Sequence, residues 1–338
     1  NIGADNVTVR GLGGVVFFGG RDEPLPYCGQ QNYNASADYD WGIKTRGYSN
    51  LIIENLTIHG YGMEGIHIDR GTNDSTFRDL VIFDNGSGVL KSDGYWPAGE
   101  GIRLNGHNIV IDRVRIFDNG EDQIQNYSNV SIKNLTIRNS WLYNERKHPN
   151  RDDSFNHCAH SDGIQIFSGD KVDGILIDNT YFSGLTQCVV FGETKSGLYT
   201  TVNDVIIRDV VCDQSSGMGI YSKNPNSTNW RLERVTIYCN DGDTGHCIHI
   251  NGSNTTIIDS IIDGSRIVIP QGITNQSSGN CQDNIRKDHN EHTDIGPDVN
   301  ISYVNAGAPF STNNDFTVLS PNSCTGSNLT SLPQLQLR

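Results

Sequence analysis

Long apolar runs, methionine and positive charge are all in short supply. The 338 residues hold 2 Met, and no stretch approaches the roughly 18 consecutive apolar residues that a membrane-spanning helix needs. Lys and Arg total 25 against 39 Asp and Glu, a net charge of −14 with no basic cluster. Nucleic acid and anionic membrane surfaces are therefore excluded as partners. None of the 8 cysteines forms a Cys-x-x-Cys pair, which removes zinc ribbons and thioredoxin-type sites. The even count suits disulfides and points to a secreted, extracellular protein. The glycine-rich "GLGGVVFFGG" at 11–20 has no strand-then-helix setting for a nucleotide, so no organic cofactor is expected. The chain also lacks a starting Met and a basic-then-apolar leader. It opens on "NIGADNVTVRG" in mid-pattern, so an upstream signal and cap are expected.

Asparagine and glycine, by contrast, are plentiful. Fourteen Asn-x-Ser/Thr sequons, among them Asn6, Asn34, Asn85, Asn226 and Asn328, suit a glycosylated secreted protein. Much of the asparagine belongs to a repeat. The segments "IENLTI" (53–58), "FRDLVI" (77–82), "IDRVRI" (111–116), "IKNLTI" (132–137), "IDNTYF" (177–182), "IRDVVC" (207–212), "LERVTI" (232–237) and "IDSIID" (258–263) align. One column then reads Asn55, Asp79, Arg113, Asn134, Asn179, Asp209, Arg234, Ser260. Asn and Asp tolerate the left-handed backbone region best among non-glycine residues, so this column marks a tight turn between two short strands.

A second set follows: "WGIKT" (41–45), "EGIHI" (64–68), "EGIRL" (100–104), "DQIQN" (122–126), "DGIQI" (162–166), "QCVVF" (187–191), "MGIYS" (218–222) and "HCIHI" (246–250). Strands this short cannot each bury a face alone and must stack on copies of themselves. The expected fold is all-β: a single-stranded right-handed parallel β-helix, or solenoid, over 1–264 with long loop insertions on one face. Residues 265–338 are expected to form a C-terminal cap and tail, with Cys281 and Cys324 as a candidate pair. Cys188 with Cys212, and Cys239 with Cys247, lie close enough to pair.

Over residues 1–264 the chain resembles the right-handed parallel β-helix proteins of the pectin-lyase-like superfamily. That superfamily includes polysaccharide lyases, polygalacturonase-type hydrolases, tailspikes and adhesins, so the resemblance implies fold more sharply than activity. "HSDGIQI" (160–166) is similar to the "NTDGID" strand of polygalacturonase-type glycosidases, and Asp162 alone carries over. The family's paired aspartate and Gly-His-Gly are replaced by "TQCVVF" and "SSGMGIYS", and the arginine-rich signatures of the best-known pectate lyases are absent.

Stacking at about 4.8 Å turns each column of the second set into a ladder. The outward rungs are Lys44, His67, Arg103, Gln125, Gln165, Val190, Tyr221 and His249. The residues that begin each segment are Trp41, Glu64, Glu100, Asp122, Asp162, Gln187, Met218 and His246, with four consecutive carboxylates. Stacked carboxylates repel and raise one another's pKa, which favours a functional role. Strict alternation would turn this slot inward, but Gly65, Gly101 and Gly163 beside it permit a bend. The two largest insertions, 87–99 and 141–161, enter just before the slot and should wall a cleft over Glu100, Asp122 and Asp162.

These residues favour the first of three readings, a uronate polysaccharide lyase, with a polysaccharide as the expected partner and a monomer as the expected state. In a β-elimination lyase, Arg103, His160 or Lys44 serves as base while Ca²⁺ held by Glu100, Asp122 and Asp162 neutralises a uronate. In a glycoside hydrolase, two of the same three carboxylates act as acid and base, with His160 orienting Asp162. A non-catalytic glycan-binding or adhesive β-helix is the third. Lys44, His67, Gln125, Gln165, His157, Trp96 and Trp141 are the expected substrate contacts, the tryptophans by stacking on sugar rings.

Overall fold

The computed structural model describes residues 1–12, 14–19, 41–86, 99–126, 131–144, 161–167, 171–192, 200–215, 218–239, 246–264, 266–269, 276–278, 281–283, 302–304 and 317–319. Among them every strand but two runs parallel to its neighbours, in a 14-stranded sheet of long strands and a 9-stranded sheet of short ones. The exception is an antiparallel pair, Ser302–Val304 with Thr317–Leu319. Each coil contributes one long and one short element, for example His107–Phe117 followed by Ile124–Asn126. Parallel pairing runs past Gly264: Cys281–Asp283 pairs with Ile261–Gly264, and Arg266–Val268 pairs with His246–Ile250.

Coil-on-coil register places like residues over like. Ile53, Phe77, Ile111, Ile137, Ile177, Ile207, Leu232 and Ile257 are paired in succession and all belong to one hydrophobic core. Because each coil buries its apolar rungs only against the next, this column is what makes the array cohere.

Left-handed residues bend the long strands at two columns, where the sequence suggested one. The expected column is Asn55, Asp79, Arg113, Asn139, Asn179, Asp209, Arg234 and Asp259, all at positive φ. Two of its members differ from the sequence alignment: Asn139 replaces Asn134, and Asp259 replaces Ser260. Asn134 belongs to the second column, five residues earlier, with Asn50, Asp74, Asn108, Gly174, Asp204, Asn229 and Asn254. Both columns include Asn before Leu, at 55–56 in one and at 50–51 and 134–135 in the other, so "IENLTI" and "IKNLTI" look alike while occupying different turns.

The side chains of these columns bond along the solenoid axis. Asn254 donates to Asn229 (2.6 Å) and Asn229 to Asp204 (2.8 Å). Arg113 grips Asp79 with two bonds (2.7 and 2.8 Å), as Arg234 does Asp209. Much of the asparagine content is thus structural. Of the sequons, Asn85 and Asn126 are fully buried, which leaves no room for a glycan in the folded chain, whereas Asn6 and Asn226 are exposed.

Two disulfides, Cys188–Cys212 and Cys239–Cys247, join the pairs expected from strand spacing. The side chains of Cys281 and Cys324 lie outside the described residues.

Candidate functional site

The glycines at the start of the short strands orient the site. A Cβ at Gly101 would sit 2.3 Å from Ile116 Cγ2, and one at Gly163 would sit 2.5 Å from Phe182 Cδ1. Both Ile116 and Phe182 are core residues. The glycine therefore faces the core at a corner of the coil, and the residue before it is turned to the outer side, where it meets the outward ladder. Two contacts show this: Arg103 Nη2 lies 2.8 Å from Glu100 Oε1, and Gln165 Nε2 donates to Asp162 Oδ2 at 2.8 Å.

The outward ladder has the register expected, with Lys44, His67, Arg103, Gln125 and Gln165 paired in turn. Behind it Glu64, Glu100, Asp122 and Asp162 occupy consecutive coils at 0%, 0%, 1% and 0% exposure. These carboxylates lie outside the apolar core yet are shielded from bulk water, a setting that penalises charge.

Their environments differ sharply. Burial alone would raise Glu64, but a hydrogen bond from His67 and the Arg103 guanidinium outweigh it and hold its pKa at about 2. For Glu100 burial prevails over Arg103, and the neighbouring Glu64 charge adds to it, pushing the pKa up to about 7. Its Oε2 is buried with no hydrogen-bond partner among the described residues. Asp122 is raised well above the usual range by burial and by the charges of Asp162 and Glu121. It accepts from Gln125 Nε2 (2.6 Å) and from the Asp162 backbone N–H (2.8 Å).

Glu121 was not singled out by its sequence, and it joins the cluster. It is half-buried, the most accessible of the acids here, and burial plus the Glu100 charge push its pKa up to about 8. The signal that would have found it is the doubled acid "ED" at the slot, the only one in the column.

The cations are committed within the protein. Arg103 lies 3.1 Å from Glu64 and 2.8 Å from Glu100, and these two carboxylates raise its pKa despite the opposing effect of burial. That is the reverse of what a proton-abstracting base requires. His67 approaches Glu64 (3.5 Å) and Asp69 (3.4 Å), while Lys44 lies 3.8 Å from Asp69 and 3.9 Å above the Trp41 ring.

Other expected residues fall elsewhere. Trp141 is not on this face: it belongs to the long-strand sheet, where it pairs with Arg115 and Tyr181 and lies 5.8 Å from the Arg115 guanidinium. Proximity to the 141–161 insertion suggested the cleft, but Trp141–Tyr143 is itself a strand ahead of that insertion. Trp96, His157 and His160 lie outside the described residues.

The three acids expected to hold Ca²⁺ are engaged within the protein. Glu100, Asp122 and Asp162 each spend oxygen on Arg103, Gln125 or Gln165, and among the described residues no group of three or more His, Cys, Asp or Glu is placed to hold a metal ion.

The ends from which the two insertions leave are pinned by a buried amide network. Asn85 donates to Asn119 (3.0 Å), Asn119 to Gln123 (2.9 Å) and Gln123 to Ser161 (2.9 Å). One flank of each insertion is thus anchored beside the carboxylates.

The family described as "Right handed beta helix region" matches residues 6–172. Among solved structures, the chain is similar to the Dettilon tailspike protein gp208, at 12% identity and a TM-score of 0.42, covering 83% of this chain and 53% of that one. It is also similar to PfbA, a surface adhesin of Streptococcus pneumoniae, at 15% identity and a TM-score of 0.40, covering 83% and 70%. The chain thus spans about half the length of the tailspike. No curated protein matches it. The coil register and the matched region together identify the chain as a right-handed parallel β-helix protein, an architecture consistent with the pectin-lyase-like superfamily.

Proposed function

We propose that the chain is an extracellular carbohydrate-active enzyme that cleaves a glycan by hydrolysis at the carboxylate ladder. The observation carrying this reading is the stack of shielded carboxylates Glu64, Glu100, Asp122 and Asp162 on consecutive coils, whose surroundings pull Glu64 down and push Glu100 and the adjoining Glu121 up in pKa. Acid and base roles follow from environments that drive neighbouring titratable groups apart. Glu121, the accessible member, donates a proton to the leaving glycosidic oxygen. Asp162, fixed by the Gln165 amide and buried in the unliganded chain, supplies the second carboxylate, as base toward a water admitted when the glycan binds. Arg103 keeps Glu64 ionised beside Glu100 and so sets the charge of the cluster. A β-elimination lyase is less well supported, because the cation nearest the cluster is locked between two carboxylates.

The test is reducing-end release over a polysaccharide panel by the unaltered protein, Glu121→Gln and Asp162→Asn, with Tm measured for each. Loss of turnover by about 10²–10⁴-fold with Tm retained supports the assignment. Unchanged turnover in both variants overturns it, and glycan binding without cleavage by the unaltered protein would make this a binding module.

A further inference from the structure

We infer that this site takes an uncharged glycan rather than a uronate polymer, because each described cation near the carboxylates is already paired with an acidic or aromatic group of the chain. The inference rests on the hydrolase reading and narrows it to a substrate class.

A uronate repeat brings one carboxylate per sugar, and each must meet a cation or lose its hydration without compensation. Arg103 stands between Glu64 and Glu100, His67 between Glu64 and Asp69, and Lys44 between Asp69 and the Trp41 ring. Further along the ladder, Lys223 lies over the Tyr221 ring at 5.4 Å, and His249 is held uncharged at neutral pH by burial and by His246 and Lys223, its pKa brought down to about 4. The rungs beside Asp122 and Asp162 are the neutral amides Gln125 and Gln165, which bond to each other at 2.8 Å.

The acids themselves argue in the same direction. Burial and one another's charge push Glu100, Glu121 and Asp122 toward the protonated form, so a further anion in the cleft would add to a repulsion already present among the protein's own acids. By sequence, the two insertions carry no net charge. Residues 87–98 carry one Lys and one Asp, and 145–160 carry Arg146, Lys147 and Arg151 against Glu145, Asp152 and Asp153.

The deciding experiment uses the full chain on neutral polysaccharides and on uronate polysaccharides, each uronate supplied both as free acid and as methyl ester so that charge alone changes. Reducing ends and absorbance near 235 nm, where unsaturated uronates absorb, are read together. The expected result is reducing-end release from a neutral polymer or ester, with kcat/KM about tenfold or more above that on the matched free acid. Equal or faster cleavage of the free acid without absorbance overturns the inference and leaves the hydrolase reading standing. Cleavage with rising absorbance overturns both, as does silence toward every polymer.

Discussion

Two ladders on this solenoid obey one stacking rule and reach opposite results. At the left-handed turns of the long strands, donors meet acceptors: Asn254 over Asn229 over Asp204, Arg113 over Asp79, Arg234 over Asp209. At the entry to the short strands, like meets like through Glu64, Glu100, Asp122 and Asp162, and the group is buried. A repeat multiplies whatever chemistry each coil brings, so a complementary column serves the fold. A self-repelling, shielded column costs stability, and a fold has little reason to retain it without a function.

The largest expected effect contrasts the two ladders by activity. Asp162→Asn should lower turnover by about 10²–10⁴-fold while leaving Tm near its starting value, whereas Asp209→Asn should leave turnover unchanged. If both variants keep full activity, the functional assignment of the short-strand ladder fails.

Arg103→Met comes next, because it strips the cation from two buried carboxylates. Breaking such a pair costs about 3–5 kcal/mol. Denaturant titration should show the loss to be greater at pH 8 than at pH 5, where Glu64 without its cation can take up a proton. A loss that does not vary with pH would mean that Arg103 acts by packing.

Proton retention predicts a pH profile for the unaltered chain. The folded pKa values of Glu100 and Glu121, about 7 and 8, lie above the ordinary carboxylate value. Their contribution is full below about pH 4.5 and is lost as pH rises through 7 to 8. Glu64 runs the other way: its contribution is full above about pH 4.5 and is lost on acidification toward 2. Thermal unfolding should therefore peak near pH 5 and fall by several degrees by pH 9, a decline that Glu121→Gln should reduce. A flat profile from pH 5 to 9 would contradict the shielding of the cluster.

The smallest effect belongs to the turn ladder. Asn229→Ala, at φ 60°, should cost about 1–2 kcal/mol from left-handed strain and lost rungs, measured by chemical unfolding, with activity intact. A loss of activity there would mean that the two ladders are coupled through the coil.

The architecture was legible because its signal is periodic. Short β-branched segments with a polar turn residue recur down the chain, and every rung aligned in the short strands pairs as aligned. The long-strand alignment slipped at Asn134 and Ser260, because two turns five residues apart favour the same residue types. Trp141 shows a similar limit: nearness in sequence to an insertion does not say on which sheet a strand falls.

The sequence by itself determined the solenoid, the columns and the identity of the stacked acids, because a fixed repeat converts residue order directly into neighbours along the axis. Only the tertiary structure decided which way the acid slot faces, since that depends on the core atoms a Cβ would meet at Gly101 and Gly163. It also decided which acids burial pushes toward the protonated form and which of the described cations are already paired. Burial and charge pairing are sums over surroundings drawn from several coils, and no single segment carries them.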